Sequence, residues 1–358
     1  MAPWGITWAP IIREAADATL VACVDSNPET LAAAQSHLDL PTTRCFSTLE
    51  TALAAVPADA VLITASIGAH ASLALTALAA GMHVLLEKPF AATLADAERV
   101  VAAAADAGRI LMISQNYRFQ PAPRTVAALI RGNILGSVGN ITIDFRQNAA
   151  TLLPQEHALY RMPQPLLAEI GVHHFDLLRM VLGDEAAHIT CQAWNPPWST
   201  LAGPAAATAT ITCAGGTIAN YRGSWASHAL PTPWAGIWRM ECTGGEIVWT
   251  SRNGSNTNAD LVIVRQRGQP ARRVVLPKLR LRGRAACLAA FTSAIRTGQP
   301  PECSGRDNLG TIALMQSAIS AATSGQPQVL PPTIVSLPWA SYKQGCTSRI
   351  RASAHRFA

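Results

Sequence analysis

The tripeptide Glu87-Lys88-Pro89 places two ionisable side chains directly after the apolar run HVLL (83–86). If that run is a strand of a parallel sheet, the tripeptide lies at its carboxyl end, where open α/β sheets bind ligands. A lysine there could donate to a substrate hydroxyl and stabilise a developing alkoxide. Pro89 restricts the backbone and could follow a cis bond that turns Lys88 inward. Taken alone, the tripeptide is more typical of a surface Glu–Lys pair in a turn.

A second candidate group is Glu169, His173 and Asp176, within the run EIGVHHFD (169–176). Residues three and four apart share one face of a helix, so the three side chains could project together. A histidine titrates near neutral pH, and flanking carboxylates that fix its tautomer would make it a general base. Taken alone, the pattern favours the alternative, a hydrogen-bonded structural histidine at the start of a helix.

Short apolar runs alternate with alanine-rich helical runs over the first 115 residues. The predicted strands are LVACVD (20–25), AVLITA (60–65), HVLLEK (83–88) and ILMISQ (110–115). Strands separated by helices of this length predict crossover connections and a parallel sheet. Gly81 and Gly108 follow two of the helices, where a left-handed C-terminal cap needs glycine.

From about residue 137, apolar and polar residues alternate, which is typical of strands. The segments are NITIDFRQ, HITCQAWN, TATITCAGGTIANYRGSW, WRMECTGGEIVWTS and DLVIVRQ, with Gly-Gly pairs as turn signals. They predict one large, mostly antiparallel sheet, interrupted by a helix at about 169–182 and followed by two late helices. The fold class is α/β. We predict a first domain over residues 1–118, a second over 119–330, and a C-terminal tail over 331–358.

Composition excludes several classes of protein. The 358 residues are 49% hydrophobic and 14% charged, which allows a large core and two domains and excludes general disorder. No run reaches the roughly 20 apolar residues of a membrane span, and the start lacks the order of a secretion signal. We therefore predict a cytoplasmic protein that does not bind membranes.

Two further features bear on ligands. The eight cysteines are scattered without a C-x-x-C pair, which predicts buried thiols in a reduced compartment and no metal site. The net charge of +6 is densest over 272–284. No aromatic residue interleaves that basic run to stack bases, so we predict no binding to nucleic acids.

Three segments, in order and spacing, resemble the Gfo/Idh/MocA oxidoreductases, the family of glucose–fructose oxidoreductase and inositol dehydrogenase. They are HVLLEKPFAATLADAERV, NYRFQPAPRTVAALIRGNILGSVGNI and AEIGVHHFDLLRMVLG, and the later AFTSAIRTGQPPECSGRDNLGTIALMQSA is similar to the family's helical end. The resemblance implies an N-terminal Rossmann-like domain that binds a dinucleotide. It also implies a C-terminal α/β domain that binds substrate and forms a homodimer or homotetramer through its sheet.

The resemblance identifies Lys88 with the lysine of the family's E-K-P motif, His173 with its catalytic histidine, and Asp176 with the aspartate three residues beyond. Glu169 stands where aspartate is usual, and Pro-Leu-Leu (165–167) replaces three glycines. On this assignment His173 takes the proton of a secondary hydroxyl, Lys88 polarises its oxygen, and the two acids orient the array. The expected activity is NAD-dependent hydride transfer involving a sugar, cyclitol or related polyol.

Further residues are predicted to bind substrate and cofactor. The predicted substrate contacts are Arg118, Arg161 and His174, although each arginine could equally be an ordinary surface residue. The predicted cofactor contacts are Gly5, Asp25, Ser66, His70, Glu87 and Lys88. Asp25 closes a predicted strand, where it could accept from a ribose 2′-hydroxyl while its charge repels a 2′-phosphate. This favours NAD over NADP.

The phosphate-binding loop departs from its usual form. A strand and G-x-G-x-x-G normally open a dinucleotide site, whereas this sequence begins MAPWGITWAPIIREA, with Gly5 in place of the third glycine and Ala2 of the second. We expect a start assigned too far downstream rather than a lost central strand, because the loss would expose apolar faces of its neighbours. The departure also supports a rival hypothesis, a catalytically silent relative that binds a sugar or dinucleotide and acts through partner proteins.

Overall fold

The computed structural model describes residues 3–38, 40–252 and 260–331. Its N-terminal region alternates helices and parallel strands, which confirms the predicted Rossmann-like arrangement. In chain order these are α1 (Pro3–Ile6), α2 (Ala9–Glu14), β1 (Cys23–Val24), α3 (Pro28–Leu38), β2 (Cys45–Phe46), α4 (Leu49–Ala55), β3 (Ala60–Ile63), α5 (Ile67–Ala79), β4 (His83–Leu86), α6 (Leu94–Asp106) and β5 (Leu111–Ile113), with a 3-10 turn at Thr42–Arg44.

The parallel strands form two separate sheets in the described part of the chain. β1 pairs with β2, whereas β3, β4 and β5 form a second sheet. Among the described residues no strand precedes β1, and α1 and α2 occupy the segment before it. Trp8 packs in one cluster with Leu85 and Met112 of the larger sheet, and Ala9 packs in another with Cys23 of the smaller. This first helical segment therefore contacts both sheets.

Helix ends in this region follow from local capping chemistry. The hydroxyls of Thr48 and Thr93 accept backbone N–H groups at the N-termini of α4 and α6. After α5 and α6, Gly81 and Gly108 adopt φ angles of 78° and 60°, which confirms the predicted left-handed positions. The chain therefore leaves each helix where the next strand begins.

The C-terminal region contains the predicted large sheet. Its elements are α7 (Pro121–Arg131), β6 (Val138–Arg146), α8 (Ala149–Leu152), α9 (Val172–Leu182), β7 (Ala186–Trp194), β8 (Ala206–Cys213), β9 (Ile218–Ser224), β10 (Ile237–Cys242), β11 (Gly245–Thr250), β12 (Leu261–Gln266), β13 (Arg272–Arg273), α10 (Gly283–Thr297), α11 (Gly305–Ser324) and β14 (Gln328–Val329). Asn116–Phe119 and Ala158–Arg161 are 3-10 turns, and Pro165–Gly171 is π-helical. The nine strands run in the order β13-β12-β11-β10-β6-β9-β8-β7-β14, and only the β6–β9 pair is parallel.

Helices cover one face of this sheet. Along β10, Trp238 and Met240 are buried whereas Arg239 and Glu241 are exposed, as the alternation in the sequence predicts. α11 packs against β7, α7 packs against β11, and both contact α9. The covered face therefore holds α9 at the centre of the helical layer.

α10 comes from the C-terminal half of the sequence but packs on the N-terminal sheet. Its Leu288 and Phe291 join Leu85 and Met112 in one apolar cluster. The backbone N–H of Ile113 also donates to the carbonyl of Cys303 at 2.8 Å, within a short antiparallel bridge beside β5. The two regions are thus joined by more than the single connection expected near residue 118.

The longest described helix is α11, with 20 residues. Neither it nor any other helix in the described ranges is long and apolar enough to cross a membrane. The predicted tail over 331–358 lies outside the described residues apart from Pro331.

Arg118 and Asp176 form a buried ion pair between the turn after β5 and α9. Nε and Nη2 of Arg118 donate to the two carboxylate oxygens at 2.6 Å each, and neither side chain is more than 1% exposed. Asp307 of α11 pairs with the same guanidinium, and the hydroxyl of Thr311 donates to Asp176 at 2.9 Å. These partners offset the cost of removing both charges from water, so the pair fixes α9 against the turn and α11.

Replacing Arg118 with alanine should strongly destabilise the fold, because Asp176 would remain buried without its counter-ion. We expect Arg118→Ala to lower the free energy of unfolding by about 3–5 kcal/mol in urea titrations. Arg99→Ala is the matched control, since it breaks an exposed pair with Asp96, and should cost less than about 1 kcal/mol. Equal, small losses in the two variants would contradict the assigned role of the buried pair.

Candidate active site

The carboxyl ends of the parallel strands carry several of the predicted site residues. Ser66 follows β3 at the N-terminus of α5, Lys88 follows β4, and Gln115, which the sequence analysis did not single out, follows β5. These three lie at one edge of the three-stranded sheet β3–β5. Asp25 lies at the corresponding end of β1, in the two-stranded sheet. This is the edge where open α/β folds bind dinucleotides.

Lys88 and Glu169, two of the predicted catalytic residues, form an ion pair. The Lys88 ammonium donates to Oε1 and to the backbone carbonyl of Glu169, each at 2.8 Å. Glu169 belongs to the π-helical segment that leads into α9, a local form that often occurs at functional sites. The bond between Lys88 and Pro89 is cis. The glutamate that replaces the usual aspartate therefore still reaches the lysine.

His173 lies in the first turn of α9 and is 4% exposed. Its ring stacks on Tyr117, with 4.0 Å between centroids and 4° between planes. Its Nδ1 lies 3.1 Å from Oε1 of Gln115. With the amide oxygen of Gln115 facing Nδ1, this hydrogen bond requires the tautomer that carries its proton on Nδ1, in which Nε2 presents a lone pair. No group in the described ranges hydrogen-bonds to Nε2.

The surroundings keep this histidine neutral. Burial, followed by the positive charges of Lys88 and Arg252, holds the pKa of His173 well below its ordinary value. Burial also raises the pKa of Tyr117 to about 12, so its phenol stays protonated at neutral pH. A neutral imidazole with a lone pair is the state that a general base requires.

Neither predicted acid orients His173, which corrects the sequence-based arrangement. Glu169 binds Lys88, and Asp176 binds Arg118. The spacing indicated one shared helix face, but the acids turn toward two cations, since a buried charge is stabilised most by a counter-ion. Arg118 was predicted to hold substrate, yet it is fully buried and donates to Asp176 and to the carbonyl of Glu302. Its role is therefore structural.

Two other histidines bind main-chain or side-chain groups of the protein rather than facing a ligand. Nδ1 of His174 lies 3.2 Å from the hydroxyl of Tyr221, and Nε2 lies 3.0 Å from the carbonyl of Trp234. The two ring nitrogens of His70 lie 2.8 Å and 3.0 Å from main-chain carbonyls in the turns after β4 and β3. Burial lowers the pKa of both rings, that of His174 to about 4. These contacts replace the substrate contact predicted for His174 and the cofactor contact predicted for His70.

The carboxylate of Glu87, a predicted cofactor contact, is bound inside the protein. Its Oε1 accepts from the indole of Trp8 at 2.8 Å and from the hydroxyl of Ser114 at 3.3 Å. Oε2 accepts from the backbone N–H of Lys88 at 3.1 Å. The 3% exposed side chain thus ties the first helical segment to the end of β4.

The remaining predicted residues are more dispersed. Asp25 and Ser66 lie at strand ends, and Ser66 is exposed. Gly5 lies in α1 rather than in a loop that follows a strand, and Ala2 falls outside the described residues. Arg161 is exposed and donates to a nearby main-chain carbonyl at 3.3 Å. Their binding roles stay predictions.

Three side chains of the site were missed in the sequence: Gln115, Tyr117 and Arg252. The rule that identified Lys88 at the end of a strand could also have identified Gln115 and Tyr117 after β5. Tyr117 immediately precedes Arg118, and consecutive residues of a 3-10 turn face different directions, so Tyr117 stacks on His173 whereas Arg118 faces Asp176. Arg252 follows β11, and no motif or spacing in the sequence indicated that it belongs to the site.

Comparisons with known proteins agree with this architecture. The Gfo/Idh/MocA family described as "Oxidoreductase family, NAD-binding Rossmann fold" matches residues 7–115, and its C-terminal domain matches residues 124–246. D-apiose dehydrogenase of Paraburkholderia graminis is 27% identical over 325 residues, which cover 88% of this chain and 84% of that protein. Inositol 2-dehydrogenase of Rhizobium meliloti is 30% identical over 192 residues, which cover 53% and 55%.

A solved structure shares the fold over most of its length. It is an oxidoreductase from Agrobacterium radiobacter in complex with NAD+, L-tartaric acid and magnesium. The TM-score is 0.79 at 20% sequence identity, and the match covers 91% of this chain and 95% of that one. At this identity the likeness concerns the fold.

The neutral state of His174 predicts acid sensitivity. Its pKa of about 4 lies below the ordinary 6.5, so between these pH values the unfolded chain binds a proton that the folded ring excludes. The contribution of this histidine to the free energy of unfolding is therefore fully present above pH 6.5. It falls by about 1.4 kcal/mol per pH unit between pH 6.5 and pH 4. When the pH falls from 7 to 5, the free energy of unfolding of the parent should drop by about 2 kcal/mol more than that of His174→Gln. Exposed His188→Gln is the control, and an unchanged pH slope in His174→Gln would contradict the assignment.

Proposed function

Because the chain belongs to the Gfo/Idh/MocA oxidoreductases and carries their NAD-binding Rossmann domain, we propose that it is an NAD-dependent dehydrogenase of a sugar, cyclitol or related polyol. One observation carries the proposal: His173, neutral and with Nε2 available, lies in the same site as the ammonium of Lys88. The names of the relatives, D-apiose dehydrogenase and inositol 2-dehydrogenase, support a sugar or cyclitol substrate.

His173 takes the hydroxyl proton at Nε2. As the ring becomes cationic, its Nδ1–H strengthens the hydrogen bond to the amide oxygen of Gln115, which stabilises the charge without being protonated itself. The parallel stack on Tyr117 holds the plane of the ring, so that Nε2 keeps one direction throughout the transfer. Gln115 and Tyr117 therefore orient His173, whereas Glu169, one of the two acids expected to orient the array, positions Lys88 instead.

Lys88 stabilises the oxygen from which the proton is removed. An ammonium has three N–H donors, and two of them go to Glu169. The third is directed to the substrate oxygen, where a positive charge favours the developing alkoxide. Glu169 contributes by holding the ammonium in place, because both of its contacts with Lys88 come from one residue of a buried segment.

The strand ends fit a dinucleotide. Asp25 at the end of β1 would hold the adenosine ribose, and the N-terminus of α5 at Ser66 would face the central part of the cofactor. A Cβ added at Gly68, in the first turn of α5, would meet no atom within 4 Å, so the space beside this helix end is open. When bound, NAD supplies the hydride acceptor. The homodimer or homotetramer through the nine-stranded sheet stays a prediction.

Removal of the base or of the ammonium should abolish turnover while preserving cofactor binding. We expect His173→Gln and Lys88→Met to lower kcat by about 10²- to 10⁴-fold, because each acts on the reacting hydroxyl. NADH affinity, titrated by fluorescence, should change by less than about twofold in His173→Gln, since this side chain does not serve the adenosine half. In Lys88→Met, at a predicted cofactor contact, NADH affinity should fall by much less than kcat. Exposed His188→Gln and Lys278→Met are the matched controls.

The same assay separates the enzyme from its rival. Near wild-type kcat in either site variant, over a panel of sugars and cyclitols that the parent oxidises, would overturn the roles of His173 and Lys88. NADH binding by the parent without turnover of any panel member would instead favour the catalytically silent relative.

Cofactor preference should depend on Asp25. The carboxylate repels a 2′-phosphate, so Asp25→Ala should lower the ratio of NADPH to NADH dissociation constants by at least about tenfold. Exposed Glu50→Ala removes one negative charge elsewhere in the same domain and serves as the control. Fluorescence titration with both reduced cofactors measures the ratio. Tighter binding of NADPH than of NADH by the parent protein would contradict the proposed contact of Asp25 with the ribose.

A further inference from the structure

Arg252, two residues beyond β11, lies against the stack that holds His173. Its guanidinium carbon is 4.1 Å from the centroid of the Tyr117 ring, and its Nη1 donates to Oδ1 of Asn116 at 3.1 Å. The backbone has a φ of 63°, in the left-handed region that non-glycine residues seldom adopt. The backbone N–H of Arg252 donates to Asp260 at 3.0 Å. The residue is thus held through both its main chain and its side chain.

His173 and Arg252 lie on opposite faces of Tyr117. The imidazole centroid is 4.0 Å from the Tyr117 centroid with the planes nearly parallel, and the guanidinium carbon is 4.1 Å from that same centroid. Two planar groups cannot share one face of a ring at these distances without overlapping. Guanidinium, phenol and imidazole therefore form three layers, with the Tyr117 ring between the cation and the base.

The charge of Arg252 has no carboxylate partner in the part of the chain that the structure describes. Its guanidinium donates to the neutral amide of Asn116, and its Nε is buried without an acceptor. The oxygens of Asp260 accept from the hydroxyl of Ser251 and from backbone N–H groups. The adjoining segment 253–259, NGSNTNA, contains no acidic residue. A partly buried cation with an unused donor is costly unless a ligand supplies the negative charge.

We propose that Arg252 binds a carboxylate of the substrate, so that the enzyme oxidises a sugar acid rather than a neutral sugar. This inference rests on the proposed function, because it names the substrate class of the same site. Nε and Nη2 of a guanidinium form one edge that matches the two oxygens of a carboxylate, and neither atom binds a described residue here. A phosphate ester carries nearly two charges and would require a second cation, but Lys88 is already paired with Glu169.

Matched substrate pairs test the proposal. D-Glucuronate with D-glucose, and D-galacturonate with D-galactose, share their ring hydroxyls and differ at the terminal carbon, and glucose 6-phosphate adds a phosphate arm. We expect kcat/KM of the parent to be at least about tenfold higher for the acid of a pair. Arg252→Gln should lower the ratio of kcat/KM for the acid to kcat/KM for its neutral partner by about 10- to 100-fold, mainly through the KM of the acid. Any effect of the lost charge on His173 acts on both partners alike and cancels in this ratio.

Controls separate binding from a merely structural role. Arg252→Lys keeps the charge and should retain part of the preference for acids, whereas Arg265→Gln, at an exposed arginine of β12, should leave both substrates unchanged. Equal losses for acid and neutral partners in Arg252→Gln would overturn the proposal, since they would mean that Arg252 only supports Tyr117. A preference of the parent for glucose 6-phosphate over glucuronate would overturn the choice of a carboxylate.

Calorimetry on the NADH-loaded protein distinguishes the failure of this inference from that of the proposed function. Sugar acids that bind in an Arg252-dependent manner without any turnover would support the binding of a carboxylate by Arg252 and refute the dehydrogenase. Turnover of neutral sugars with no preference for acids would support the dehydrogenase and refute the role of Arg252 in binding a carboxylate. Failure of every uronate in the panel to bind overturns the inference.

Discussion

Arg118 and Asp176 form a bidentate ion pair, both ends of which are almost completely buried. Tyr117 immediately precedes the arginine, and His173 lies one helical turn before the aspartate. The pair therefore fixes the position of the two rings whose stack defines the site. Because a buried carboxylate without its cation is strongly disfavoured, α9 cannot rotate or slide without losing this contact. The arrangement of the chemical groups thus depends on an interaction in which none of them takes part.

Around that pair, the site combines buried side chains with an excess of positive charge. Lys88 and Arg252 lie near enough to His173 to lower its pKa, and burial acts in the same direction. The acids of the region are each bound to another protein group, Glu169 to Lys88 and Glu87 to the indole of Trp8. In the proposed reaction, a proton that arrives on the histidine would therefore be held weakly, which would favour its release after hydride transfer. An anionic group on a ligand would balance the field that the protein leaves uncompensated.

Lys88 and His173 could be located from the sequence only through the family resemblance. Their local patterns, a strand end for the lysine and a helical segment of charged residues for the histidine, taken alone favour a surface pair and a structural histidine. The α/β class and the alternation of the large sheet were predictable from local periodicity alone. The partner of Asp176 was not, since a shared helix face specifies direction but not which side chain from another element meets it. Arg252 illustrates the limit. Its contact with Asn116 joins positions 136 residues apart, and only the assembled sheet brings β11 beside the turn after β5.

During synthesis, the N-terminal sheet leaves the ribosome long before the residues that cover it. Leu85 and Met112 pack against Leu288 and Phe291 of α10, and β5 gains its last bridge from Cys303 and Ser304. At typical elongation rates of about 5–20 residues per second, the interval is on the order of ten seconds or more. Throughout it the nascent domain presents an apolar sheet face and an unpaired strand edge, the features that chaperones bind. The first region to be made is therefore among the last to be completed.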